Sequence, residues 1–290
     1  MSGLYSIQTF QSLSINLDRD MYKLNDESIE KIIMLKKLLN IKENNFVKPI
    51  NIPFKVTEIK KSEDGIDKII NEIRIMLNKI SDNTLNKYTN EIIEKIKSIQ
   101  NTISSDEFSK ISETIFNIAC TNHFYVHLYA ILYKSLIDNF AFFTHIFNKS
   151  LEGYLELFNT IETVDPIKDY NKFCEITKKN DRRKATSTFY IHLMKQGVLD
   201  INVIENLILE LQSKLIKNKS DKSKLEENIE ISENIFVFIS NGKEELIKET
   251  KWNAIIDNIK NISSASVSTN EGLSNKIIFK HMDILDMITT

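Results

Sequence analysis

Cys120, His123 and His127 fall in one short segment, and soft ligands spaced three and four residues apart share a helical face that could hold zinc. A tetrahedral site needs a fourth ligand, and no further Cys, His or carboxylate completes the pattern. With Asn122 available as a cap, the segment reads instead as a turn and the first turn of a helix, with no metal. Lys178, Lys179, Arg182, Arg183 and Lys184 make the densest basic cluster in the chain. On a helix start such side chains splay toward solvent, and neutralising phosphates gives a salt-dependent, sequence-independent affinity for RNA. The alternative is a solvated helical face. Aromatic residues do not interleave with the cluster closely enough for base stacking. A Gly-rich phosphate loop, a GxSxG elbow, an HExxH pair and paired catalytic carboxylates are all absent from the sequence. Asp283 and Asp286 read as a solvated pair on one helix, and Gly242 and Gly272 stand alone in predicted turns. No catalytic residue and no cofactor are predicted.

The elements that would position these residues are helices. Six Gly and three Pro in 290 residues leave few breakers, and Pro49 and Pro53 lie together in one segment. Asn25-Asp26-Glu27 caps an amphipathic stretch through Leu39. Residues 40 to 62 carry the two prolines, each of which biases its predecessor to extended geometry, and form an arm. The stripe Ile66, Ile69, Ile70, Ile73, Met76, Leu77 and Ile80 is a helix with one buried face. Ser81-Asp82-Asn83 breaks and re-caps the chain before the stripe Leu85, Tyr88, Ile92, Ile96 and Ile99. Further caps are predicted at Ser104-Ser105-Asp106, Asn122 and Asp200, and a stop at Gly197. One long helical region is predicted from Phe124 toward Phe158, with Pro166 in the first turn of the next helix. Later helices are expected over 225–239, 244–259 and 273–288. The chain divides into an N-terminal segment, 1–62, and a helical domain, 63–290.

Helices paired by tight turns at a spacing of roughly 40 residues fit two-helix solenoid units of the HEAT class, and an irregular helical bundle fits the same periodicity. A formal net charge of −2 provides no global field toward nucleic acid or membrane, so an RNA contact must be local. Two distant cysteines, no signal-like N-terminus and no apolar run of membrane length predict a reducing, cytoplasmic setting.

Four segments together resemble the middle domain of eukaryotic translation initiation factor 4 gamma. They are Ile73 to Ser81 with its Leu77-Asn78-Lys79 turn; Thr114 to Ala119 followed by Asn122-His123-Phe124, Tyr129-Ala130 and Leu132; Asp181-Arg182-Arg183-Lys184 followed by Phe189 to Leu199; and Leu273 to Asp286. His123 departs from the small or polar turn residue usual there. The likeness runs from about Phe54 to Met287. It implies an all-α fold, a right-handed α-solenoid of about five HEAT-like helix pairs preceded by an N-terminal helix and extended arm.

The resemblance also implies a scaffold that is not an enzyme. Such a domain binds and stimulates a DEAD-box RNA helicase of the initiation factor 4A type, and RNA, to recruit mRNA to the ribosome. Related adaptors in splicing, decay or deadenylation remain an alternative, as does a helical structural or regulatory protein with no RNA role. Phe54 stands where the family presents a Trp to the helicase, and Leu77, Asn78 and Lys79 match the turn facing the same lobe. Leu77 reads equally well as core. The Arg-rich segment matches a surface that touches RNA or the helicase. A cap-binding-protein motif of the form Tyr-x4-Leu-apolar fails here because Glu27 stands at its Leu position. Tyr22 with Ile29, Ile32 and Ile33 is the degenerate version through which a partner of the initiation factor 4E type could dock. Packing of that helix on the solenoid is the other reading.

Overall fold

Helix α2 (Ile66–Leu77) shows why this sequence folds as it does: Ile70, Ile73 and Leu77 recur at helical spacing, and all three are buried. A computed structural model of the chain describes residues 24–38, 65–122 and 124–289. Contacts divide the chain into two units, Met1–Ile59 and Lys60–Thr290. In the first, α1 (Asp26–Leu38) begins where the Asn25 side chain accepts a hydrogen bond from the Ser28 N–H at 2.9 Å. Ile29, Ile32, Ile33, Met34 and Leu35 of α1 are exposed.

The second unit holds α3 (Leu85–Ile99), α4 (Ser105–Ala119), α5 (Val126–Asn139), α6 (Ala141–Glu152), α7 (Tyr170–Lys195), α8 (Ile201–Asn218), α9 (Leu225–Leu246), α10 (Trp252–Ser263) and α11 (Asn275–Thr289). A 3-10 turn, Leu155–Phe158, lies between α6 and α7. The described residues contain no strand, and the fold is all-helical. Packing runs between chain neighbours such as α2 and α3, α4 and α5, α8 and α9, and α10 and α11. It also runs between helices two apart: α2 on α4, α3 on α5, α4 on α6, α5 on α7, α7 on α9, α8 on α10 and α9 on α11. One continuous apolar core joins these helices.

Several helix ends form where the side-chain chemistry predicts. Ser104 and Glu107 make a reciprocal capping box on α4, worth about 1 kcal/mol. The Asp200 carboxylate accepts from the Asn202 N–H at 2.8 Å, and Gly197 ends α7 with a φ of 70°.

Other expectations need correction. The region from Phe124 to Phe158 is not one helix, because Phe140 takes extended backbone between α5 and α6 and sinks its ring among Phe108 and Phe143. Helix α7 starts at Tyr170, capped by Asp169, and Pro166 sits in the preceding turn. Gly242 lies inside α9, not in a turn: a Cβ there would come within 2.9 Å of Ile191 Cδ1, so glycine permits close approach of α9 to α7. Gly272 does lie in a turn, where Asn218, Lys219 and Asp221 crowd it with backbone oxygens. Between α2 and α3 the polar bracket is Ser81 with Thr84: the Thr84 hydroxyl donates to the Lys79 carbonyl at 2.7 Å and accepts the Ser81 N–H at 2.9 Å.

Candidate functional site

Helix α7 carries the basic cluster, and helix periodicity splits it. Ile176, Arg183, Ser187, Tyr190 and Met194 recur along one buried side, so Arg183 follows the core stripe. Lys178, Lys179 and Arg182 stay exposed, three and four residues apart on one face. Lys184 is half-buried and pairs with Asp181 at 3.1 Å.

Arg183 therefore departs from the expected solvent-facing role. Its side chain is only 8% exposed and lies 3.7 Å from the Glu230 carboxylate. The guanidinium also donates to the Leu157 carbonyl and to Asn180, and stands 5.9 Å from the Phe158 ring centroid. Burial lowers the Arg183 pKa and raises that of Glu230, and each charge opposes the shift of the other. Next to this pair, the Tyr154 hydroxyl meets Ser187 at 2.5 Å, and Ser187 donates to Asn234 Oδ1 at 2.7 Å. This polar network ties α7 to α9 and to the segment after α6.

Above the network lies a cleft of about 620 Å³. Helix α7 supplies Lys179, Arg182, Arg183 and Thr186, α4 supplies Phe116, and the residue after α4 is Cys120, which also lines the cleft. The segment from the end of α6 onward adds Ser150, Glu156, Leu157, Thr160 and Glu162. Lys179 pairs with Glu162 at 3.6 Å, and Arg182 donates to Asn117. A smaller hollow of about 330 Å³ shares Phe116, Ser150 and Arg182 with it and adds Lys149. Only the α7 wall was legible as a run of charge. The α4 wall and the Ser150-to-Glu162 wall carry no short motif, because their residues meet through packing.

Cys120 is buried, its Sγ 3.6 Å from the Asn117 carbonyl, and burial pushes the thiol pKa up. His127 lies instead 3.7 Å from Asp82. His123 lies outside the described residues, and among the described residues no group of three or more His, Cys, Asp or Glu could hold a metal ion.

At the α2–α3 turn, Leu77 is 1% exposed, so its side chain belongs to the core rather than to a contact surface. Asn78 and Lys79 are exposed. Phe54 and Tyr22 lie outside the described residues. Among the described residues no helix is long and apolar enough to cross a membrane. No protein-family model and no curated protein matches the chain.

Proposed function

We propose that the chain is a translation-initiation scaffold of the initiation factor 4 gamma middle-domain type, a right-handed solenoid of about five HEAT-like helix pairs acting in the cytoplasm. Pairing of α2 with α3, α4 with α5, α8 with α9 and α10 with α11, together with packing of helices two apart, supports a stack of repeats. The helicase of the initiation factor 4A type docks on the Asn78-Lys79 turn, with Phe54 from the arm as its aromatic anchor. RNA lies along Lys178, Lys179 and Arg182.

The observation that carries the reading is the exposed Asn78-Lys79 turn on a buried, hydrogen-bonded base. Leu77 is core, its carbonyl is held by Tyr129, and the Lys79 carbonyl is held by Thr84. A turn fixed in this way presents polar groups to a partner at little ordering cost. A scaffold that touches both helicase lobes favours their nearly closed arrangement by its differential affinity for it, and raises ATPase turnover with no chemistry of its own. The test is a pull-down with the purified helicase and its RNA-dependent ATPase rate. Binding with stimulation is expected, and absence of both overturns the reading.

A further inference from the structure

Partner by partner, two groups in the 620 Å³ cleft stand out. The Lys179 charge is met by Glu162 and the Arg183 charge by Glu230. Arg182 has only the neutral amide of Asn117, so its charge is not neutralised by an acid among the described residues. The Glu156 carboxylate has no hydrogen-bond or ion-pair partner among the described residues, its backbone carbonyl alone accepting from the Asn159 N–H, and the residue lines the same cleft. A ligand suited to this place brings an anion for Arg182 and hydrogen-bond donors for Glu156. Lys149 borders the adjoining hollow and extends the positive side.

Resting on the RNA reading above, we infer that the cleft seats one nucleotide of single-stranded RNA with guanine as the preferred base, its phosphates on Arg182 and Lys149 and its base on Glu156. The volume suits one nucleotide, and single-stranded bases are read on exposed edges by such pockets. Guanine presents N1–H and N2–H side by side, which a carboxylate accepts with both oxygens. Adenine and cytosine place an acceptor lone pair beside their amino donor, and uracil flanks its single N–H with carbonyls, so each meets Glu156 with a repulsive contact. Phe116 and Leu157 give the base an apolar boundary, and Thr160 and Thr186 give it hydroxyls.

Fluorescence anisotropy on the full chain tests this with octauridine and with the same oligomer carrying one central guanosine. The guanosine is expected to tighten binding about tenfold, as for one good bidentate base contact. Glu156→Gln removes that gain by relieving the repulsion of uracil, so octauridine binds as well as or better than it does to the wild type, and the thermal midpoint is unchanged, since Glu156 is exposed. Arg182→Ala weakens both oligomers alike. If octauridine binds and guanosine adds nothing, or if Glu156→Gln keeps the full gain, the base pocket is overturned while the RNA reading stands. If neither oligomer binds, the RNA reading fails and the pocket falls with it.

Discussion

The phenol of Tyr129 in α5 donates a 3.0 Å hydrogen bond to the carbonyl of Leu77 at the end of α2, across 52 residues of sequence. The same carbonyl accepts the Ile80 N–H at 3.1 Å. Burial raises the Tyr129 pKa, which keeps the hydroxyl a donor. One bond thus couples the second helix pair to the turn that presents Asn78 and Lys79.

Tyr129→Phe keeps the packing and removes that bond. The carbonyl retains Ile80, so the loss is about 1 kcal/mol, read as a shift in the urea midpoint with an unchanged slope. If the turn is the helicase contact, stimulation of the ATPase falls with it.

Lys79→Glu reverses an exposed charge, and its effect on folding is expected within about 0.5 kcal/mol. Helicase affinity is expected to drop, as it is in Phe54→Ala with helicity unchanged. Wild-type affinity in either variant removes that residue from the contact.

Gly272→Ala sets a Cβ 2.3 Å from the Asn218 carbonyl oxygen and 2.7 Å from that of Asp221. Both are backbone, and the Asn228 amide pins the same loops by bonding the Gly272 carbonyl at 2.9 Å. A destabilisation of about 3 kcal/mol follows. Gly242→Ala meets only the movable side-chain ends of Ile191 and Leu246 and costs about 1 kcal/mol. Thermal denaturation of the two variants ranks them.

His281 is fully buried, and burial lowers its pKa to about 4 from 6.5. Between those values the unfolded chain binds a proton that the folded chain refuses, so stability is complete above pH 6.5 and falls as pH drops toward 4. The loss is about 3 kcal/mol, and His192, whose pKa burial also lowers to about 4, adds in the same direction. Urea midpoints across this window are expected to decline in the wild type and to decline less in His281→Gln.

Arg183→Ala strands the Glu230 carboxylate in the core and is expected to cost about 3 kcal/mol. Lys178→Ala instead leaves the midpoint unchanged and lowers the salt slope of RNA binding by about 0.7.

Helical type was written in the sequence, though the break at Phe140 that makes two helices of one was not. Ile70, Ile73 and Leu77, the Ser104–Glu107 box and the Asp200 cap each act within a few residues, and local chemistry is enough to place them. The exposed face of Lys178, Lys179 and Arg182 was legible for the same reason. Tertiary structure decided that neighbouring Arg183 is a buried partner of Glu230, because its orientation depends on where α9 lies. It also decided that Gly242 continues a helix, since only contact with Ile191 of α7 makes a missing side chain useful there. Cys120, Glu156 and Arg182 share a cleft only because α4, α7 and the 3-10 turn meet there. Residues that interact across tens of positions leave no period or spacing in the chain, so packing alone assembles them.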